Sequence, residues 1–180
     1  KKHDAPPTFF FQMPYWPLWK NLSDHINKLY EHFEGTHIPA ETLLIDHATV
    51  LPTSEDIKTD DTIRNTLIQN QLDFLIVDTD ILESGTIENG HVRIKDIAAK
   101  LVICPPGRHI EEPLANWLAA FEKQGGHVLH IQRDDSPNTM CDQILNIVQP
   151  HLNVRATSGD LTKLQLVTRT NGDRTLHFLI

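Results

Sequence analysis

Residues 100–132, KLVICPPGRHIEEPLANWLAAFEKQGGHVLHIQ, predict a strand, a helix and a second strand in direct succession. The apolar run 101–104 is typical of a strand buried on both faces of a parallel sheet. Gly125 and Gly126 predict the end of the helix, because a left-handed C-cap needs no Cβ. Since parallel neighbours require a crossover connection, this unit predicts the centre of a parallel sheet. The helix carries one apolar stripe at i, i+3, i+4 and i+7: Leu114, Trp117, Leu118 and Phe121.

The remaining periodicities add strands and helices on either side of this unit. Asn-Gly pairs flanked by extended residues, at 89–90 and 171–172, predict two β-hairpins. At Thr53 and Ser54 the chain offers a helix N-cap, with Asp56 at a capping-box position. The alternation of strands and helices predicts an α/β, flavodoxin-like fold, a three-layer sandwich with a mainly parallel sheet plus small β-hairpins. Further strands are predicted at 42–46 and 74–77, and helices at 18–33, at 55–71 and around 140–148, the last closed by Pro150.

Three segments of different character divide the chain. Residues 1–35 are predicted to be an aromatic linker and a helix from a preceding domain, and 36–152 the flavodoxin-like α/β domain. Residues 153–180 form a hairpin that is either the edge of the sheet or the start of a following β-domain. We expect the chain to be part of a longer protein.

Half of the twelve aromatic residues lie in residues 9–19 of the first segment. They pack either under the sheet of the chain itself or against another domain of the same polypeptide, since an exposed aromatic patch marks a partner surface. The second interpretation is favoured, and a homo-oligomer contact is also possible. The six residues are Phe9, Phe10, Phe11, Tyr15, Trp16 and Trp19.

Composition excludes several classes of partner. The formal net charge of −8 argues against nucleic acid and against an anionic membrane surface, both of which attract basic proteins. No apolar run is long enough to span a bilayer. The two cysteines, Cys104 and Cys141, are too few for a disulfide framework and favour a reducing, cytoplasmic location.

Cys104 is the one candidate nucleophile. A cysteine at a strand end is activated in some α/β enzymes on a tight turn built from small residues. Here Pro105 and Pro106 follow it, and proline lacks the backbone N–H that an oxyanion hole uses. We therefore predict a buried structural thiol.

Histidine is frequent, with 11 residues, but metal-binding spacings are missing from the sequence. His127 and His130 lie three apart on a predicted strand and should face opposite sides of the sheet. No metal site and no catalytic residue is predicted.

Adjacent carboxylates occur three times. Asp60-Asp61 and Glu111-Glu112 are interpreted as negative charge at helix N-termini, because the paired carboxylates of glycosidases must face each other across a sugar. Other acids follow predicted strands, where α/β folds place ligand sites, and leave open a Mg²⁺ or phosphoryl site in a free-standing hydrolase or transferase. These are Asp46 (next to His47), Asp78, Asp80, Asp134 and Asp135.

Phosphate-binding loops are missing from the sequence. It contains neither a dinucleotide fingerprint nor a Walker pattern, and residues 47–54 hold no glycine. A flavin-binding module remains an alternative because Thr49, Thr53 and Ser54 follow the first strand. No cofactor is predicted.

Three passages resemble parts of large glycoside hydrolases. Residues 12–16 (QMPYW) and 29–35 (LYEHFEG) resemble the exit of a catalytic barrel. The strands 43–47, 74–78 and 101–106, with the turn 125–128, are similar to the class I glutamine-amidotransferase-like accessory domain of α-L-rhamnosidases of family 106. The trimerisation domain of family 42 β-galactosidases has the same layout. Residues 174–180 (RTLHFLI) look like a strand that opens the β-domains of these enzymes.

The resemblance implies a non-catalytic domain that braces a catalytic barrel or forms an oligomer contact. In those families the domain lacks the amidotransferase nucleophile, and the catalytic carboxylates belong to the barrel. No active-site residue is carried over to this chain, and whether the chain has enzymatic activity of its own is left open.

Overall fold

A computed structural model describes residues 14–46, 53–107, 110–159, 161 and 164–179. The chain divides into two compact units, Lys1–Thr36 and His37–Ile180. Within the described ranges, no helix is both long enough and apolar enough to cross a lipid bilayer.

The described part of the first unit is helical. A short 3-10 helix, Trp16–Leu18, leads into α1 (Trp19–Phe33), which starts one residue after the predicted helix and ends where it was predicted to end. Gly35 follows the C-cap residue Glu34 with φ +68°, the left-handed conformation that closes helices without a Cβ clash. No residue of α1 is buried.

Three aromatic residues at the start of the described part of this unit are exposed. Tyr15, Trp16 and Trp19 keep 54%, 41% and 39% of their surface accessible. The two indole rings stack on each other with centroids 6.3 Å apart and planes 10° apart. The predicted partner residues Phe9, Phe10 and Phe11 lie outside the described residues.

The second unit is an α/β domain whose centre is a four-stranded parallel sheet in the order β2-β1-β6-β7. The α/β class is thereby confirmed. Its elements in chain order are β1 (Thr42–Ile45), α2 (Ser54–Gln69), β2 (Phe74–Val77), α3 (Thr79–Glu83), β3 (Thr86–Glu88), β4 (His91–Ile94), β5 (Ile97–Ala99), β6 (Leu101–Cys104), α4 (Glu112–Lys123), β7 (His127–His130), α5 (Pro137–Leu145), β8 (Leu166–Thr170) and β9 (Thr175–Leu179).

Both faces of the sheet are covered, because alternate residues of each strand enter two separate cores. On β1, Leu43 and Ile45 belong to one core together with α4 and the small sheet of β3, β4 and β5. Leu44, between them, belongs to the other core, which contains residues of α2 and α5. All four residues of β1 and of β6 are buried, as expected for the central strands of a parallel sheet.

The helix between β6 and β7 follows the predicted pattern. Leu114, Leu118 and Phe121 are its buried residues. Gly125 adopts φ +91°, while Gly126 is needed for a different reason: a Cβ there would overlap the ring of Phe121. The predicted β–α–β unit is therefore confirmed.

Two details differ from the prediction. Helix α5 ends at Leu145, well before Pro150. Val148 still packs in the core, and its N–H donates to the carbonyl of Ile144. The hairpin at residues 89–90 is confirmed, but a third strand, β5, extends it into a three-stranded sheet. The hairpin of β8 and β9 is also confirmed and forms a sheet of its own.

That last hairpin is joined to the rest of the second unit by hydrogen bonds of two kinds, backbone to backbone and side chain to backbone. Thr170 and His37 exchange two backbone hydrogen bonds, each 2.8 Å long, and Asp73 Oδ1 accepts from the N–H of Thr168 at 3.1 Å. The segment before the hairpin is held by the side chain of Gln71, which donates to the carbonyl of Val154 and accepts from its N–H, at 2.8 and 2.7 Å.

Candidate functional site

The ligand crevice expected of an open α/β sheet lies between β1 and β6. These neighbouring strands send their following helices to opposite faces, α2 into one core and α4 into the other. Such a switch point opens a crevice at the carboxyl ends of the strands, where ligands bind in these folds. Residues 47–52 and 108–109, which connect the strands to the helices here, lie outside the described residues.

The carboxylate of Asp56 lies at this switch point. Its side chain is only 3% exposed and accepts three hydrogen bonds. They come from the N–H of Thr53 at 3.0 Å, from Oγ1 of Thr53 at 2.6 Å and from Nε of Arg133 at 2.8 Å. The N–H of Asp56 in turn donates to Oγ1 of Thr53, which completes the capping box that the sequence predicted for α2.

Gly107 closes the other side of this carboxylate. It belongs to the loop after β6 and adopts φ +79°, where a side chain is unfavourable. A Cβ at this position would overlap the Asp56 carboxylate. The first turn of α2 and the loop after β6 therefore touch directly. The Asp56 carboxylate of the protein itself fills the space between them.

The ion pair fixes the protonation state of Asp56. The hydrogen bond from Arg133, followed by that from Thr53, holds the pKa of Asp56 well below its usual range. The same hydrogen bond raises the pKa of Arg133. Since a general acid or base works best with a pKa near the operating pH, Asp56 is suited to a permanent ion pair and not to proton transfer.

A cleft of about 350 Å³ lies beside the pair, between the loops that follow β6 and β7. Cys104, Pro105 and Ile131 are its buried residues, and Arg133, half of whose side chain is exposed, lies in its lining. His130 and Asp134 are the other titratable residues that line it.

Cys104 has the surroundings predicted for it. The residue is 2% exposed at the end of β6, and Pro105 and Pro106 follow it. Neither Cys104 nor Cys141, which lies on α5, is in a disulfide. A buried thiolate is disfavoured and the next backbone position offers no N–H, so this residue is not arranged as a nucleophile.

Two of the five strand-end acids accept hydrogen bonds from local backbone N–H groups. Asp78 is the N-cap of α3 and accepts from the N–H of Ile81 at 2.8 Å. Asp135 accepts from the N–H of Gln132, also at 2.8 Å. Asp80 and Asp134 are exposed and Asp46 is half-buried. His47 lies outside the described residues.

The interpretation as helix N-terminal charge is right for one of the two other carboxylate pairs and wrong for the other. Glu111 is the N-cap of α4 and Glu112 its first residue, so their interpretation as helix N-terminal charge is confirmed. The same interpretation was wrong for Asp60 and Asp61, because α2 begins at Ser54 and its first-turn acids are Glu55 and Asp56. Asp60 instead is nearly buried and pairs with Arg64 one turn later, at 2.6 Å.

His127 and His130 are exposed on β7, on either side of Val128 and Leu129, which enter opposite cores. Over the residues that the structure describes, no three His, Cys, Asp or Glu side chains come close enough together to hold a metal ion. Of the residues considered for a flavin, Thr53 is used as the helix cap, Ser54 starts α2 and Thr49 lies outside the described residues.

The pairing of Asp56 with Arg133 was not predicted. Capping chemistry identified Asp56, but its second partner lies 77 positions away. The available signal is that Arg133 lies three residues after β7, because the carboxyl ends of parallel strands meet at one edge of the sheet.

Comparison of the chain with protein-family models, with curated proteins and with solved structures finds no match.

Proposed function

We propose that this chain is a non-catalytic, flavodoxin-like α/β domain of a larger glycoside hydrolase, where it braces the catalytic barrel or forms an oligomer contact. The observation that carries the non-catalytic part is the Asp56–Arg133 pair at the switch point. A buried carboxylate, held by Thr53 and covered by Gly107, stands where an anionic ligand would meet the first turn of α2.

The sheet order supports the finer fold assignment. Numbered among the parallel strands alone, the order is second, first, third, fourth, which is how a flavodoxin-like sheet begins. The buried Cys104, the last residue of β6 and followed by two prolines, agrees with an amidotransferase-like domain that lacks the nucleophile. The glycoside hydrolase context itself rests on the resemblance of the sequence passages.

The exposed aromatic residues of the first unit support a role in contact with another domain. Tyr15, Trp16 and Trp19 expose large apolar rings, and large aromatic side chains contribute most to protein interfaces. On α1 itself, Leu22 and Ile26 are also about half exposed. We infer that other domains of the same polypeptide cover this surface.

The direct test is the coding sequence around this chain, together with an assay of the purified chain. A neighbouring catalytic barrel with carboxylates at its strand ends is expected. The 180-residue chain alone should hydrolyse neither aryl glycosides nor glutamine and should take up no FMN. Turnover by the chain that disappears in Asp78→Asn or Asp134→Asn would overturn the proposal and identify a free-standing enzyme. An open reading frame with no catalytic domain would overturn the glycoside hydrolase assignment. The assay of the purified chain would then decide whether the domain is non-catalytic.

A further inference from the structure

A second groove, of about 320 Å³, lies between the edge of the parallel sheet and the last hairpin. Residues 74–76 of β2 line one side and residues 165–167 the other. Ile38, Ile68 and Leu72 also line it, so that the surface is mainly apolar. The volume is in the range of about 300–1,000 Å³ found for ligand pockets.

The β2 side of the groove is an open strand edge. Among the described strands, β2 pairs only with β1. The carbonyl of Val77 accepts from the N–H of Asp46 on the β1 side, at 2.8 Å. Because successive residues of a strand direct their backbone groups to opposite sides, the N–H and C=O groups of Phe74 and Ile76 point away from β1. They face the groove side of the sheet.

The β8 side presents a second strand edge. Thr170 directs its N–H and C=O to His37, and Thr168 directs its N–H to Asp73, so both point away from β9. By the same alternation, Leu166 directs its backbone groups to that side. Two strand edges therefore border one groove, which the Asp73–Thr168 hydrogen bond closes at one end.

Asp73 adds a charge requirement to this groove. Its Oδ1 accepts from Thr168, but its Oδ2 is buried and has no hydrogen-bond partner among the described residues. A buried carboxylate oxygen without a donor is unfavourable, and a cationic side chain would satisfy it. The net charge of −8 also favours a basic partner over a second copy of this chain.

We propose that the groove binds an extended segment of another protein, which adds as a β-strand between β2 and β8 and places a lysine or arginine against Asp73. Alternate side chains of the added strand enter the apolar groove, and its backbone pairs with the open edges, the mode of recognition known as β-augmentation. This site lies on the sheet edge away from the Asp56–Arg133 pair and does not depend on the proposed glycoside hydrolase context.

The test selects peptides from a displayed library of short random sequences against the full 180-residue chain, and then titrates a synthetic copy of a selected peptide by fluorescence anisotropy. We expect selected sequences to alternate apolar and polar residues and to contain lysine or arginine. Ile76→Pro removes an outward N–H at an edge strand, where proline is tolerated, and should weaken binding by about tenfold or more. Ile76→Val is the matched control and should bind as the original chain does.

Asp73→Asn provides an independent test. The amide oxygen still accepts from Thr168, so the groove stays closed at that end, but the negative charge is lost. Affinity should fall for the peptide with its basic residue and change little for the same peptide with norleucine there. The proposal is overturned if the library yields no binders, or if Ile76→Pro and Asp73→Asn leave affinity unchanged. Self-association of the chain that Ile76→Pro abolishes would overturn it in favour of a second copy as the occupant.

Discussion

Arg133 Nε lies 2.8 Å from Asp56 Oδ1, which joins the loop after β7 to the first turn of α2. The carboxylate is buried while the guanidinium is half exposed, so the two partners depend on each other unequally. Loss of the arginine leaves a desolvated negative charge behind, whereas the arginine reaches water without the aspartate.

Arg133→Met should therefore lower the melting temperature by several degrees. The methionine keeps much of the side-chain volume but donates no hydrogen bond to the Asp56 carboxylate. Arg93→Met is the control, because the pair of Arg93 with Glu88 is more than half exposed on both sides. It should change stability by no more than about 0.5 kcal/mol. Thermal unfolding followed by circular dichroism compares them, and equal effects of the two substitutions would contradict the role of the buried pair.

The same pair predicts a pH dependence of stability. An aspartate in the unfolded chain has a pKa of about 3.9. The folded protein holds the pKa of Asp56 below that value. The contribution of the pair is then fully present above the unfolded pKa and is lost as the pH falls through the folded pKa. The difference in melting temperature between the original chain and Arg133→Met should stay constant from about pH 7 to pH 5 and shrink below about pH 4. A difference that stays the same down to acid unfolding would argue against this assignment.

Gly107→Ala should destabilise the protein more than Gly172→Ala. Both glycines have positive φ, +79° and +92°, so both substitutions carry the strain of the left-handed region, about 1–2 kcal/mol. Only at Gly107 does the added Cβ also overlap the Asp56 carboxylate, since nothing lies within 4 Å of that position at Gly172. Denaturant unfolding of the two variants measures the difference, and equal losses would mean that Gly107 is selected by its backbone conformation alone.

The two thiols should differ in reactivity. Cys141 is partly exposed on α5, and Cys104 is 2% exposed in the core. A chromogenic disulfide reagent should modify Cys141 in the native chain and Cys104 only after unfolding, because burial hinders both access and thiolate formation. Cys141→Ser should then leave no rapidly reacting thiol. Fast modification of Cys104 in that variant would reopen its interpretation as a nucleophile.

Trp16→Ser should improve solubility with little change in thermal unfolding. Trp16 is 41% exposed and its ring stacks on another exposed ring, that of Trp19. Trp117→Ser serves as the contrast, since Trp117 stacks on Phe121, with ring centroids 5.6 Å apart, at the edge of a core, and its removal should cause a clear loss of stability. A comparable loss for Trp16→Ser would show that the residue contributes to the folded core and not to a contact surface.

Features that depend on residues close together in sequence were predicted well. The β6–α4–β7 unit, the Thr53 cap and the hairpin at Asn89 each follow from a few neighbouring residues whose backbone preferences agree. The misassignment of Asp60 has a related cause. A pair of acids resembles helix N-terminal charge wherever it occurs, and the helix had already begun at Ser54.

The site itself was less predictable. The Asp56–Arg133 and Asp73–Thr168 contacts join residues 77 and 95 positions apart, and each depends on how strands are ordered in the sheet. Periodicity identifies that strands exist and which faces are apolar, but it does not give their neighbours. The unsatisfied oxygen of Asp73 is visible only when the surrounding side chains are placed.

The last hairpin forms a sheet of its own, which implies two levels of cooperativity within the second unit. Proteins open in local units, and the least securely attached segments open at the lowest free energy. Amide protons of β8 should therefore exchange with solvent through detachment of the hairpin alone, while those of β1 and β6 require global unfolding. The β8 side of the groove then belongs to a separate foldon. The width of the groove can therefore adjust to a bound β-strand while the parallel sheet stays intact.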